Sequence, residues 1–434
     1  MRVNIKQIWN SEFGKDVIIT ILGQVIVLLI IFAINKLLSI KLGPSGFGEF
    51  NISKRFGNVV SYFLLAGLGI AIPKYLATYR RLGDRVKETR FVITAIIFMI
   101  CLSLLITCIL IILQGRVAKL LFNDNGYSSF ILPILLFSLT SAFASFVYAY
   151  YRGLDRVLHF NIHQIIVNII SFFAVLFIDD VISLLYAWSF IFGGYGFYKC
   201  TKIIIKSLPI ANIKSYDDIK PIIKEIISYC IPRVPGELIW ITHTIVPLII
   251  INYKQGIETS AYFAVAISIN AMFTPFFSFA GMVLLPFVSK SVVSDEFSKA
   301  ESKIKDLAKL YFIIGIVGVI IVEIFTPYIV NLLFSNEYQP SVPIVRITII
   351  SIIPSILYLL LRSPLDAMSK IPYNTINLII SFIVLNILTF LASNITAYAL
   401  SYVIAYSILG AFSILAWQNC KKKISKSNIA SNLD

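Results

Sequence analysis

The chain has 434 residues, 58% hydrophobic and 14% charged, with a formal net charge of +15 at pH 7. A charged share near half that of a soluble domain excludes an ordinary water-soluble fold. The positive balance would suggest nucleic acid in a soluble protein; here basic loops facing anionic lipid account for it, and no nucleic-acid partner is expected.

Twelve apolar segments follow in order, near 17–40, 52–76, 91–113, 129–151, 159–178, 181–198, 225–251, 261–289, 310–332, 342–361, 374–392 and 395–417. Each is close to the ~20 residues that a helix rising about 1.5 Å per residue needs to cross a bilayer. The first is not a cleaved signal peptide. Its apolar core is too long, and Lys36 and Lys41 follow it instead of a small-residue cleavage motif. Ile371 to Cys420 carries no acid or base and is too long for one crossing, so Ala392-Ser393-Asn394 is read as the turn that divides it.

Lys and Arg crowd the N-terminus, every second gap and the C-terminal tail. The intervening gaps hold only Lys41, Arg116, Lys119 and Lys254. Positive loops stay on the cytoplasmic side during insertion, which places both termini there and makes the chain a multi-pass membrane protein. The five cysteines (Cys101, Cys108, Cys200, Cys230, Cys420) form neither a disulfide framework nor a metal-ligand pattern. His159 and His163 share a helical face but have no third ligand nearby, so they read as packing residues and no metal is expected. The gaps hold no phosphate loop and no nucleophile elbow, and the longest outer gap runs only from Gln114 to Ser128. No enzyme and no cofactor are expected.

The sequence also repeats. Phe50 and Pro73 fall on Phe263 and Pro286 at one offset. Arg152-Gly153-Leu154-Asp155 resembles Arg362-Ser363-Pro364-Leu365-Asp366, and Ile169-Ile170-Ser171-Phe172 matches Ile379-Ile380-Ser381-Phe382. An even number of crossings per half makes the repeat parallel, about an axis along the membrane normal. The expected fold is an all-α integral membrane protein of twelve transmembrane helices in two six-helix bundles related by a parallel pseudo-two-fold. Residues 1–200 form the N-terminal bundle, 201–224 a cytoplasmic linker, 225–417 the C-terminal bundle and 418–434 a basic cytoplasmic tail.

Ionisable groups inside the segments carry the candidate chemistry, because each costs about 2.5–3.5 kcal/mol at mid-membrane on insertion scales. Lys36, Lys54 and Lys74 are near enough to segment ends for their stems to reach the headgroups. Arg55 offers a planar fork suited to phosphate. Arg233 stands between Pro232 and Pro235-Gly236, a helix-breaking pattern of the kind found at transporter sites. With Lys36, Lys54 and the shallow Arg346, these arginines define an expected cationic, substrate-binding cavity. Glu237 follows Arg233 by one turn and either pairs with it or binds a coupling ion, and His243 can titrate near neutral pH or donate a hydrogen bond. Glu323 is the most isolated acid in any segment. Glu323, Glu237 and His243 are the coupling or protonation candidates.

Several motifs resemble one family. Leu42-Gly43-Pro44-Ser45-Gly46-Phe47-Gly48-Glu49-Phe50 resembles the turn after the first span of polysaccharide flippases. Gly67-Leu68-Gly69 with Pro73-Lys74-Tyr75, Tyr151-Arg152-Gly153-Leu154-Asp155-Arg156, Tyr229-Cys230-Ile231-Pro232 and Ala261-Tyr262-Phe263 are similar to later family positions, in the same order. The family is that of O-antigen and capsule repeat-unit flippases, in the superfamily that also holds multidrug and toxin extruders (MATE proteins) and lipid II flippases. The resemblance implies an undecaprenyl-diphosphate-linked oligosaccharide as substrate, carried across the bacterial cytoplasmic membrane. It also implies membrane lipid, a proton or sodium ion and the glycan polymerase machinery as partners. Of the arginines that the lipid II branch places on spans 1, 2 and 8, only Arg55 has a counterpart, and the usual acid of span 7 is replaced by His243-Thr244. A multidrug or cation antiporter of the same fold is the alternative.

Overall fold

The structure is a computed structural model that describes residues 12–213, 216–231, 234–278, 288, 297–369 and 371–431. Among these residues every regular element is helical. Ten helices are long and apolar enough to cross a membrane, and the pair Asn336–Ile349 and Ile352–Met368, bent by 51°, makes an eleventh. Pro354, in the first turn after the bend, has no N–H for the Ile350 carbonyl, which accepts from the Ile353 N–H at 3.2 Å instead.

The expected count of twelve is reached only by dividing α1 (Glu12–Leu65) at Gly43, whose φ of 62° and ψ of −176° interrupt the helix. Its apolar stretch of 47 residues would measure roughly 70 Å if straight, more than twice the ~30 Å hydrocarbon core. Ile34 and Lys54 line one cavity, so the chain doubles back between them. A side chain at Gly43 would be strained in that left-handed conformation.

The chain divides into two compact units, Met1–Ile241 and Thr242–Asp434. Unit 1 contains α1, α2 (Leu68–Arg81), α3 (Arg85–Ile112), α4 (Gln114–Phe122), α5 (Ser128–Gly153), α6 (Val157–Phe177), α7 (Val181–Ala211) and α8 (Lys220–Cys230). Helix α5 is central and packs on α7, α1 and α2; its apolar window is 72% buried, against 22% in α3 and α6, whose outer faces are left for lipid. Small residues allow the closest approach, as membrane helices require. A methyl group on Gly196 would stand 3.0 Å from the Ala144 nitrogen, and one on Gly193 2.9 Å from Thr140 Cγ2.

Residues 201–224 are largely helical. Helix α7 continues to Ala211 and α8 begins at Lys220. Helix α8 is amphipathic and buries Ile222, Ile226 and Cys230 against Leu68, Ile72, Tyr75 and Phe91 of unit 1. Two polar ties add to this apolar contact. Tyr79 Oη donates to Glu225 Oε2 at 2.6 Å, and Arg90 pairs with Asp218 at 3.0 Å. Burial, ahead of the Glu225 contact, pushes the Tyr79 hydroxyl up from its ordinary value. Beside α3, the Lys87 backbone N–H caps onto Asp84 and holds that carboxyl below its usual range.

Unit 2 contains α10 (Val246–Gln255), α11 (Ile257–Ala271), α12 (Phe297–Leu333), α13 (Val342–Ile349), α14 (Ile352–Met368), α15 (Tyr373–Leu391) and α16 (Ile395–Ser431). Asn394 caps α16 by accepting from the Ala397 N–H at 2.8 Å, which fixes the turn between α15 and α16. Helices α14 and α16 meet through Gly410, where a methyl group would lie 2.6 Å from the Pro354 carbonyl oxygen. Between the units in sequence, α9 (Val234–Thr242) ends at a turn through His243, Thr244 and Ile245. Span 7 is therefore interrupted at His243, with Pro247 opening the next helix.

Candidate functional site

Inside unit 1, polar residues recur at helical spacing on faces that a bilayer-exposed helix would leave apolar. Lys54, Asn58, Ser61 and Tyr62 share a face of α1; Ser141 and Ser145 share one of α5; Asn168 and Ser171 share one of α6. Helix α7 adds aromatic rings at the same spacing, Trp188 and Phe192. These faces converge on a cavity of about 280 Å³, closed by Phe137, Ile31, Ile34, Leu65 and Ile241.

Lys54 is the one charged residue among the lining side chains. Its Nζ lies 5.3 Å from the ring centroids of both Phe50 and Trp188, which meet edge to face at 5.5 Å. Phe137 sits 6.0 Å from Trp188 and 5.8 Å from Phe192, completing an aromatic wall. Two cation–π contacts stabilise an ammonium by about 0.5–2 kcal/mol each, which does not cover the several kcal/mol of taking it out of water. No carboxylate among the described residues forms an ion pair with Lys54, and none lines the cavity.

The hydroxyl and amide groups are partly committed. Asn168 Nδ2 donates to the Gln164 carbonyl at 2.8 Å, Ser171 Oγ to the Val167 carbonyl at 2.8 Å, and Trp188 Nε1 to the Ser171 carbonyl at 3.2 Å, which fixes the indole. Ser141 Oγ is buried without a hydrogen-bond partner among the described residues, and is available to a ligand. Below the cavity, Gln24 Nε2 donates to Gln164 Oε1 at 2.9 Å. Toward the basic end, Lys199 Nζ approaches His163 Nε2 at 3.4 Å, with the Tyr151 and Tyr195 rings 5.0 and 5.5 Å from the imidazole.

The other sequence candidates are scattered. Arg55 follows Lys54 on α1, about 100° round the helix, and does not line the cavity. Lys36 is half-buried on α1 and also outside the lining. Lys54, read in the sequence as a snorkelling side chain, instead lines the cavity with its Nζ over the Phe50 and Trp188 rings. Lys74 instead stacks on Tyr229, 3.8 Å from the ring centroid. Arg233 and Pro232 lie outside the described residues, and Glu237 is half-buried on α9.

Three candidates belong to unit 2. Arg346 is exposed on α13, and Glu323 is exposed on α12 between Ile320 and Ile324, themselves 51% and 62% exposed. His243 is fully buried. Ser381 Oγ spends its one proton on the Ala405 carbonyl at 2.8 Å, so His243 Nε2 is the donor in the 3.2 Å contact with Ser381. Phe382 and Tyr406 enclose the imidazole at 5.4 and 5.9 Å.

The cavity residues other than Lys54 were missed in the sequence because serines and asparagines inside apolar segments look like dilute polarity. The signal that finds them is their recurrence at positions i, i+3, i+4 and i+7 on adjacent spans.

Fold and cavity together define a multi-pass membrane protein with the architecture of MATE transporters of the MOP superfamily. An inward-facing multidrug resistance MATE family transporter of that superfamily superimposes with a TM-score of 0.71 at 14% identity, covering 92% of this chain and 95% of its own. The outward-facing conformation gives 0.67 at 14% identity, covering 97% and 98%. A MOP superfamily transporter from Pyrococcus furiosus, described by the reverse polarity of its binding pocket, gives 0.68 at 13% identity, covering 94% of this chain and 94% of its own. No curated protein matches the chain by sequence. The family model for polysaccharide biosynthesis proteins matches residues 13–292, and the chain belongs to that family.

Proposed function

We propose that this protein is a flippase that carries an undecaprenyl-diphosphate-linked oligosaccharide repeat unit from the inner to the outer leaflet of the bacterial cytoplasmic membrane. The glycan would serve O-antigen, capsule or exopolysaccharide synthesis, and both termini would be cytoplasmic. The observation that carries this reading is the unit 1 cavity, where one lysine stands among hydroxyls, amides and aromatic rings in a chain of the polysaccharide biosynthesis family. Hydroxyl and amide groups match the hydroxyls of a sugar, aromatic faces stack on its ring, and the ammonium attracts negative charge.

Outward movement of an anion is favoured by an inside-negative potential, by about 2.3 kcal/mol per charge per 100 mV. Arg55 and Arg233 are the candidates to meet the diphosphate, with Lys36 and Arg346 as weaker members of the cationic set. Glu237, Glu323 and His243 are the candidates for a proton or sodium ion on the return step. The glycan polymerase machinery would receive the product. A multidrug or cation antiporter would need an acid in the cavity to hold a cation, whereas the lining offers only Lys54.

The test is a deletion strain in which lipid-linked glycan is quantified with its sidedness resolved. Repeat units trapped on the inner leaflet and exported on re-expression are the expected result. Unchanged glycan with altered drug sensitivity would overturn the reading in favour of the antiporter.

A further inference from the structure

The unit 1 cavity is small and singly charged, and both properties restrict what enters it. About 280 Å³ lies just below the ~300–1,000 Å³ range of small-molecule sites and gives room for one sugar ring at a time. A diphosphate brings at least two negative charges, and the lining supplies one ammonium and no guanidinium fork. Its second charge would be buried without compensation. A single carboxylate is balanced by Lys54 alone.

We propose that this cavity recognises one acidic sugar residue of the glycan, a pyranose carrying a single carboxylate, separately from wherever the diphosphate is held. This rests on the flippase reading and names a feature of its substrate. Lys54 takes the carboxylate, Trp188 offers its face to the ring, and Ser141 and Asn58 meet ring hydroxyls. Two observations support this independently of the charge count. Ser141 is 92% buried by its 8% exposure, and its Oγ has no hydrogen-bond partner among the described residues although it lines the cavity. Trp188 is clamped by its Nε1 bond to Ser171 and by Phe137, so its orientation is set before any ligand arrives.

Two readouts test the proposal. In proteoliposomes the probes are an undecaprenyl-diphosphate disaccharide ending in glucuronate and the same lipid with that carboxyl reduced to the alcohol. Wild-type protein is expected to flip the acid at least ~10-fold faster than the reduced form. Lys54→Met should bring the ratio to about one, slowing the acid more than the reduced form. A ratio unchanged in Lys54→Met, or equal loss of both substrates, would overturn the proposal.

The second readout does not need transport. In a Trp9→Phe, Trp240→Phe, Trp417→Phe background, Trp188 is the remaining tryptophan. Methyl glucuronoside should change its fluorescence, with methyl glucoside and inorganic phosphate having far less effect, and Lys54→Met should abolish the response. Equal responses to all three probes would overturn the proposal. A wild type that flips neither lipid but still discriminates the glucuronoside would instead sink the flippase reading and leave the binding site standing.

Discussion

In unit 1, Lys41 Nζ donates to the Leu176 carbonyl at 2.8 Å and approaches the Ile178 carbonyl at 3.4 Å, capping the end of α6. In unit 2, Lys254 Nζ does the same to Phe390 and Ala392 at the end of α15, at 2.5 and 2.6 Å. The two lysines stand at the same offset as Phe50 and Phe263, and Gly196 and Gly410, one residue further apart, mark corresponding close helix contacts. The frame is thus duplicated. Its contents are not, because at that offset Lys54 and Asn58 correspond to Ile267 and Ala271. Ile267 is 2% exposed, and elsewhere in unit 2 the buried His243, Tyr402 and Tyr406 pack ring against ring. The two units share these joints, while the matching interior positions are polar in unit 1 and apolar in unit 2.

The strongest way to break this comparison is to exchange the contents. Ile267→Lys should destabilise the protein by about 3–5 kcal/mol, since it buries a charge without a partner. A large fall in the thermal unfolding midpoint in detergent would show it, and an unchanged midpoint would mean unit 2 has its own solvated cavity. Lys54→Ile in unit 1 should leave that midpoint equal or higher, because it removes a desolvated ammonium. It should still remove the preference for the acidic lipid over its carboxyl-reduced form.

Enlarging the shared joints tests the equivalence itself. Gly196→Leu and Gly410→Leu should each cost about 1–3 kcal/mol or more by forcing apart helices in contact. Matched losses in the same melting assay would sharpen the comparison, and a loss at one site only would weaken it. His243→Ala leaves Ser381 without its donor, at about 1–3 kcal/mol for a buried hydrogen bond. It should lower stability and shift the pH profile of transport, as its place among the coupling candidates requires; an unshifted profile would remove His243 from that set. Lys41→Met and Lys254→Met carry the smallest expected effect, about 0.3–1 kcal/mol each, as losses of a cation at a helix C-terminus.

The all-helical membrane fold was legible in the sequence because segment length, loop charge and repeat offset each follow from bilayer physics. The turn at Asn394 was legible too, since a helix start needs an acceptor for its free N–H groups and Asn supplies one. The cavity was legible only in Lys54, and there the headgroup reading competed. Distance from a segment end does not say which way a side chain points. Phe50 and Trp188, which turn it inward, are far apart in sequence. Glu323 was the reverse case. Isolation along the chain made it prominent, yet its helix presents it on the exposed face. The break in span 7 was sought at the prolines near Arg233; α8 ends at Cys230 and α9 begins at Val234, on either side of Arg233, and a second interruption falls at His243, where Pro247 withholds an N–H from the preceding turn.

Helix α8 has a consequence for anyone dividing this gene. The basic, proline-containing stretch before it invites a cut there, to express the two halves as separate polypeptides. Such a cut would leave Ile222, Ile226 and Cys230, three plugs in the floor of unit 1, on the C-terminal fragment. The N-terminal fragment would be released with an open apolar seam. A split that respects the packing must fall after Cys230, so the natural breakpoint for complementation lies at the edge of a membrane span and not in the loop that looks like a linker.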